Sequence, residues 1–219
     1  MPNTISLISV VRDEESYIRR MIESAVSVVS EIVIVDQMSE DETEYEARKA
    51  SVDFDIPMIY EKDDKVGYAE LSRQKAINLA SSEYVLLLDG DEVIVDPLRL
   101  LELDGNGYYL SRKTIITLDG IPCIEYVGYD QLRFARRTKC GHLDSIHNTI
   151  RVAGSPELLR RAILEEKRVE ETLEDMRRYE TIEHHDFQVD FIHRLEGFLK
   201  NGPPDRPWIP NYWMTMADW

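Results

Sequence analysis

A run of apolar residues at positions 84–88 is followed at once by Asp89-Gly90-Asp91-Glu92. The run, Tyr-Val-Leu-Leu-Leu, is typical of a strand that is buried on both faces in the middle of a parallel sheet. In open α/β sheets, ligands bind at the carboxyl ends of the strands. The sequence therefore predicts a central strand whose end carries Asp89 and Asp91 into a ligand site.

The two aspartates predict a metal site. Side chains two residues apart on an extended segment point the same way, so Asp89 and Asp91 can converge on one cation. Gly90 allows the backbone to turn and a ligand to approach closely. Carboxylate oxygens without a nearby Cys or His suit Mg²⁺ or Mn²⁺ better than zinc. The alternative is an ordinary turn in which Asp89 caps a following helix.

Three further strand-like runs precede this one, and each is followed by a helical pattern. Strands are predicted at 4–11, 31–36 and 57–61, and helices at 14–29, 39–50 and 68–80. Ser39 is expected to cap the second helix, with Glu42 at the capping-box position. The alternation predicts parallel crossovers with helices on both faces of the sheet, and a nucleotide-like ligand along the strand ends of residues 1–92.

Beyond Glu92 the pattern becomes antiparallel. A short helix is predicted at 96–103, strands at 108–118, 121–127, 131–137 and 145–152, and helices from 156 to about 179 and at 189–200. Asp119-Gly120 is a strong hairpin signal. Residues 156–219 are expected to form a helical C-terminal extension, with an aromatic tail that docks on the body or forms a homodimer.

Composition narrows the class of protein. The formal net charge is −16, which would repel a nucleic-acid backbone. The longest apolar runs are strand-sized, so no transmembrane segment is predicted. Cys123 and Cys140 form neither a disulfide framework nor a metal spacing. There is no glycine-rich dinucleotide or P-loop motif. We expect a cytoplasmic protein, at most peripheral to a membrane.

Five segments between residues 4 and 150 form a recognisable series. They are Arg12-Asp13-Glu14-Glu15, the strand-Asp-x-x-Ser-x-Asp-x-Thr pattern of 32–43, Ser72-Arg73-Gln74 leading into Asp89-Gly90-Asp91-Glu92, the arginine-rich strand 131–137, and Ile146-His147-Asn148. In this order they resemble family-2 glycosyltransferases with the GT-A fold. The subgroup that they most resemble adds sugars to lipopolysaccharide cores and related glycans.

The resemblance implies a nucleotide-diphospho-sugar transferase fold. This is a Rossmann-like, three-layer α/β/α domain with a mixed, mostly parallel sheet, here over residues 1–155, with an acceptor half at about 93–155. The implied activity is that of a metal-dependent hexosyltransferase that inverts by direct displacement. The donor would be a UDP- or GDP-linked sugar and the acceptor a glycan or glycolipid hydroxyl. Mn²⁺ or Mg²⁺ would stabilise charge on the leaving diphosphate.

The resemblance also implies residue roles. Asp36 would accept hydrogen bonds from the nucleobase or ribose, and Arg73 would pair with the diphosphate. Asp89 would contact the ribose or the metal's shell, and Asp91 would coordinate the metal. The remaining residues that are expected to contact substrate are Val11, Arg12, Glu14, Gly90 and Arg133.

The sequence departs from the family pattern at Asn148, which replaces a Glu that often follows His147. Asparagine cannot accept a proton at neutral pH, so the general base is sought among Asp144, Asp130 and Glu125. Alternation along 145–150 places His147 on the face opposite the isoleucines. Neutral imidazole suits Mn²⁺, so His147 is predicted to be a third metal ligand.

Two other functions are compatible with parts of the same sequence pattern. In haloacid-dehalogenase-like phosphatases the first Asp of Asp-x-Asp is a nucleophile, which would be Asp89. That motif normally follows the first strand, however, and here it follows the fourth. A sugar-nucleotide-binding relative without turnover is the second alternative, and Asn148 keeps it open.

Overall fold

The computed structural model describes residues 3–128, 130–141, 150–180 and 186–207. Four parallel strands form the centre of its first half: β1 (Ile5–Val11), β2 (Glu31–Asp36), β3 (Met58–Lys62) and β4 (Tyr84–Leu87). β1 lies between β2 and β4, and β3 pairs with the outer side of β2. All four strands end at one edge, where the predicted ligand site lies.

Helices cover both faces of this sheet. They are α1 (Ile18–Ala25), α2 (Thr43–Asp53) and α3 (Glu70–Leu79). On one face Leu7 of β1 belongs to a buried cluster with Met21 and Ala47. On the other face Ile8 belongs to a cluster with Ala76 and Ile77. The predicted three-layer arrangement is therefore confirmed, and it explains why the strands are apolar at nearly every position.

The predicted cap of α2 is wrong. The helix begins at Thr43, the side chain of the preceding Glu42 makes no capping hydrogen bond, and the Thr43 N–H donates to Asp41 Oδ1 at 3.0 Å. The Ser39 hydroxyl instead donates to Asp36 Oδ1 at 2.6 Å. Ser39 therefore belongs to the loop at the end of β2, four residues before the helix, and its oxygen accepts the Asp13 N–H at 2.9 Å.

The second half adds antiparallel strands, as expected. The elements are β5 (Glu92–Ile94), β6 (Gly107–Leu118), β7 (Ile121–Val127), β8 (Gln131–Arg136), β9 (Cys140–Gly141), β10 (Arg151–Val152), β11 (Glu157–Arg168), α4 (Val169–Glu180) and α5 (Asp186–Asn201), with short 3₁₀ helices at Pro97–Glu102 and Arg137–Lys139. The sheet order is β3-β2-β1-β4-β8-β6-β11-β5, with β7 paired to β6. Asp119 (φ 51°) and Gly120 (φ 77°) are both left-handed, as a two-residue hairpin turn requires.

The helix predicted from Pro156 is wrong over its first part. Residues Glu157–Arg168 form strand β11, and the helix starts only at Val169. The Val95 N–H donates to the Ala162 carbonyl at 2.7 Å. This bond lies next to the pairing of β11 with β5, and Ala162 and Ile163 are buried. Strand pairing and burial together outweigh the helical preference of the Glu/Arg-rich sequence.

The chain divides into two compact units. The first comprises Met1–Ser111 with Tyr129–Ile163, and the second Arg112–Gly128 with Leu164–Trp219. The second unit has its own apolar cluster, which includes Ile116, Ile124 and Leu173. The predicted boundary at residue 155 falls inside the first unit, because β6 and β11 each contribute to both units.

Two predictions concern membranes and the C-terminal tail. Every helix in the described part of the chain is too short or too polar to cross a bilayer. The aromatic tail from Trp208 onward lies outside the described residues, so its docking or dimerisation remains a prediction.

Candidate active site

Each of the four parallel strands runs into an aspartate at its carboxyl end. Asp13 follows β1, Asp36 ends β2, Asp63 follows β3, and Asp89 follows β4. Parallel pairing brings these ends to one edge of the first unit. Of these four aspartates, Asp89 has charged partners from two other elements, Arg73 and Arg133.

Asp89 is held between two arginines. Arg73 of α3 donates from Nη2 to Oδ1 at 3.1 Å, and Arg133 of β8 donates from Nη2 to Oδ2 at 2.6 Å. Arg73 is only 6% exposed and Arg133 only 2%. The structure thus brings together three residues that the sequence placed far apart. Because both guanidinium groups are buried, their contacts with Asp89 are stronger than those of a surface pair.

Glu92 completes this charged cluster, and sequence reasoning gave it no functional role. Its side chain is fully buried. Oε1 accepts from Arg133 Nη2 at 3.0 Å, and Oε2 accepts from the Asp89 N–H at 2.9 Å. A charged residue directly after the motif, within an apolar strand, is the signal that could have indicated it, since buried carboxylates require partners.

The motif itself is a turn and not an extended segment, so the predicted geometry of its two acids is wrong. β4 ends at Leu87, and the Glu92 N–H closes a turn onto the Asp89 carbonyl at 3.0 Å. A Cβ at Gly90 would lie 2.6 Å from Glu14 Cγ. A larger residue at this position would displace the Glu14 side chain, which packs against the turn. Arg20 Nη2 lies 3.5 Å from the Asp91 carbonyl oxygen.

The metal-binding role of Asp91 remains a prediction. Both Asp89 oxygens accept from cations, so a metal ion bound directly to them would be repelled by Arg73 and Arg133. In the described ranges, no three Asp, Glu, His or Cys side chains converge on a metal-sized site. Magnesium sites in nucleotide enzymes commonly use one or two carboxylates and substrate phosphates, which suits Asp91. His147 lies outside the described residues.

Asp36 is completely buried and already has three donors. Oδ1 accepts from the Ser39 N–H at 2.8 Å and from its hydroxyl at 2.6 Å, and Oδ2 accepts from the Tyr60 hydroxyl at 2.9 Å. Burial and the neighbouring Asp36 carboxylate raise the pKa of Tyr60 well above its usual value, so Tyr60 stays a donor. The role of Asp36 in nucleobase or ribose binding remains a prediction. A donor on the ligand would have to share the Asp36 oxygens with these three protein donors.

The loops after β1 and β2 are bonded to each other. The Asp13 N–H donates to Ser39 Oγ at 2.9 Å, and the Glu40 N–H donates back to Asp13 Oδ1 at 2.8 Å. The Glu14 N–H donates to Thr43 Oγ1 at 2.7 Å. These bonds fix the backbone that carries Glu14 toward Gly90. The two loops belong to separate sequence motifs, and only the fold shows that they are hydrogen-bonded to each other.

The other predicted residues have mixed surroundings. Val11 is buried in β1, and exposed Arg12 lies 3.5 Å from the Asp13 carboxylate. Glu125 forms an ion pair with Lys113 at 3.0 Å within the second unit. Asp130 is half-buried in the first unit, just before β8. Asp144 lies outside the described residues. The general base is thus still open.

Comparison with known proteins agrees with the predicted family resemblance. Residues 6–103 match the family described as Glycosyl transferase family 2. This stretch runs from β1 through the first 3₁₀ helix and includes Glu14, Asp36, Arg73 and the whole Asp89–Glu92 turn. A comparison with curated protein sequences gave no match.

Two solved structures show the same fold. S. aureus TarS 1-349 aligns with a TM-score of 0.54 and 16% identity, covering 91% of this chain and 74% of that one. Its complex with UDP aligns with a TM-score of 0.53 and 15% identity, covering 80% and 63%. The alignment with the UDP complex thus spans less than two thirds of TarS. These likenesses show that the chain has the GT-A fold, as predicted, and the match of residues 6–103 agrees with the family resemblance.

Proposed function

We propose that the protein transfers a sugar from a nucleoside-diphosphate sugar to an acceptor hydroxyl on a glycan or glycolipid. The arginine-held Asp89 beside Asp91, at the carboxyl end of a central parallel strand, carries this proposal. The family match over this region and a shared fold with a protein crystallised with UDP favour it over the phosphatase alternative.

Arg73 is the proposed contact for the donor's diphosphate. Its Nη2 is committed to Asp89, but its buried Nε has no hydrogen-bond partner among the described residues. Buried donors are normally satisfied, and a phosphate oxygen is a strong acceptor for a guanidinium. Asp89, held by the two arginines, is the proposed contact for a ribose hydroxyl.

Asp91 is the proposed protein ligand of Mn²⁺ or Mg²⁺. When bound, the metal would supply charge stabilisation for the leaving diphosphate. In direct displacement, the bond between the sugar's anomeric carbon and the phosphate oxygen breaks while the acceptor oxygen bonds to that carbon from the opposite side. The acceptor proton passes to a carboxylate base, for which Asp130, Glu125 and Asp144 are the candidates.

The proposed function is tested by mixing the protein with a panel of UDP- and GDP-linked sugars, with Mn²⁺ or with EDTA. Thermal shift identifies the donor that binds, and release of free nucleoside diphosphate reports turnover. Asp91→Asn is expected to lower nucleotide affinity in Mn²⁺ by about tenfold or more with little change in melting temperature. Binding without turnover on any acceptor would favour the inactive relative instead, and no binding of any donor would overturn the proposal.

A further inference from the structure

The Asp89-Gly90-Asp91 turn is supported on several sides by side chains that are not themselves part of it. Glu14 packs on Gly90, and Arg20 approaches the Asp91 carbonyl. Glu92 differs from these two because it supports Asp89 in two ways at once. It accepts the Asp89 N–H, and it holds Arg133, which donates to the Asp89 carboxylate.

The geometry at Arg133 makes this link tight. One nitrogen, Nη2, lies 2.6 Å from Asp89 Oδ2 and 3.0 Å from Glu92 Oε1. The guanidinium therefore joins the two carboxylates through a single atom. Glu92 is fully buried and Arg133 nearly so, so the contact between them is shielded from water, whereas the Asp89 side chain is 30% exposed. Any movement of Glu92 is transmitted both to the backbone and to the side chain of Asp89.

We propose that Glu92 is a positioning residue for donor binding. It acts through Asp89, whose backbone it holds directly and whose carboxylate it orients through Arg133. This inference rests on the proposed function, since it assigns Glu92 to the same nucleotide site. Because Glu92 lies beneath the turn, we expect it to set affinity without touching the donor.

Replacing Glu92 with glutamine separates its two contacts. The amide oxygen can still accept the Asp89 N–H, but the negative charge opposite Arg133 is lost. Arg133 is then free to shift toward Asp89. Supporting residues of this kind typically change ligand affinity by about 10- to 100-fold when replaced. We expect a loss of that size for GDP or UDP in the presence of Mn²⁺.

A double-mutant cycle tests whether Glu92 acts through Asp89. Isothermal titration calorimetry would measure binding of GDP and UDP with saturating Mn²⁺ to wild type, Glu92→Gln, Asp89→Asn and the double variant. The expected result is strong coupling, with Glu92→Gln weakening binding by about tenfold or more in wild type but only about twofold or less in Asp89→Asn.

The matched control is Glu31→Gln in the same unit. Glu31 is also a hydrogen-bonded acid, but it begins β2, whereas Asp36 ends it. This control should lower the melting temperature and leave nucleotide affinity within about twofold of wild type. If Glu92→Gln does not fold, Arg133→Lys serves instead, since it keeps the charge but removes the planar fork.

The outcomes distinguish a failure of the positioning role of Glu92 from a failure of the proposed function. Additive losses in the double variant, or wild-type affinity in Glu92→Gln and Arg133→Lys, would overturn the positioning role and leave the proposed function standing. An equal loss of affinity in Glu31→Gln would show a general effect of stability and would also overturn it. If the wild type binds neither GDP nor UDP nor any linked sugar, the proposed function fails, and the role of Glu92 falls with it.

Discussion

The two ends of the parallel sheet hold carboxylates in opposite ways. At the carboxyl end, Asp89 and Glu92 are held by two buried arginines. At the amino end, the donors to Glu31 within the described ranges are neutral, namely the hydroxyl of Ser6 and the N–H and hydroxyl groups of Ser81 and Ser82.

The difference supports the proposal that the carboxyl end binds the donor. Neutral donors on adjacent strands and loops tie β1, β2 and the segment before β4 together, which is a structural task. Guanidinium groups carry positive charge that can also interact with an anion arriving from solvent. At the amino end, Glu31 holds neighbouring segments together through neutral hydrogen bonds. At the carboxyl end, the charged groups form a preorganised network.

The largest effect on stability is expected when the charge network is broken. Arg133→Met removes the cation shared by Asp89 and Glu92 and leaves the Glu92 carboxylate buried without it. Removing one partner of a buried ion pair costs about 3–5 kcal/mol, so the free energy of unfolding should fall by about that amount. Urea denaturation followed by circular dichroism measures the change.

An exposed ion pair provides the control for this variant. Arg177 Nη2 lies 2.8 Å from Glu196, and both side chains are about half exposed to solvent. Arg177→Met should cost less than about 1 kcal/mol. A loss at Arg133 as small as the loss at Arg177 would show that the network at the carboxyl end does not depend on this arginine.

A smaller, pH-dependent effect is expected at the amino end. Burial alone would raise the pKa of Glu31, but hydrogen bonds from Ser6, Ser81 and Ser82 outweigh it and lower the pKa below its ordinary 4.5. A lowered folded-state pKa means that the ionised carboxylate stabilises the fold at neutral pH and that this stabilisation is lost as the pH falls through the folded-state pKa. Glu31→Gln should therefore cost about 1–2 kcal/mol at neutral pH.

The pH series tests the sign of this effect. The difference in unfolding free energy between wild type and Glu31→Gln should shrink as the pH is lowered from about 7 to about 3. A difference that stays constant over that range would mean that the charge of Glu31 contributes nothing and that only its shape matters.

The smallest effect compares two serines of β1. The Ser9 hydroxyl is buried and has no hydrogen-bond partner among the described residues, whereas the Ser6 hydroxyl donates to Glu31. Ser9→Ala should raise the unfolding free energy by up to about 1 kcal/mol, and Ser6→Ala should lower it by about 1 kcal/mol. Scanning calorimetry of both variants measures the pair, and changes of the same sign would contradict this assignment.

Local patterns predicted the repeating elements well. The four parallel strands, the three helices between them and the Asp119-Gly120 hairpin all form close to the expected positions. Each of these depends on periodicity or turn chemistry within about ten residues. The strand at 157–168 was predicted as a helix, because its ladder partners come from distant parts of the chain and leave no local trace.

The site was predicted in its parts but not in its arrangement. Asp36, Arg73, Asp89, Asp91 and Arg133 were all identified from their places in motifs. Their charged contacts were not, since the contacts of Arg73 and Arg133 with Asp89 join residues at least 16 positions apart. The position of Glu92 in an apolar strand indicates a buried acid, but only the fold shows that its partners are Arg133 and the Asp89 N–H.

The sequence by itself therefore determined the order of strands and helices over the first 92 residues, the edge of the sheet that carries the acids, and the family resemblance. These follow from short-range periodicity and from motifs that read along the chain. Only the tertiary structure decided that two arginines contact Asp89 and that Glu92 accepts from the Asp89 N–H and from Arg133. It also decided that Glu31 joins β1 to the segment before β4 through hydrogen bonds. The physical reason is that the strength of a charge depends on burial and on its partners, and both are set when distant segments pack together.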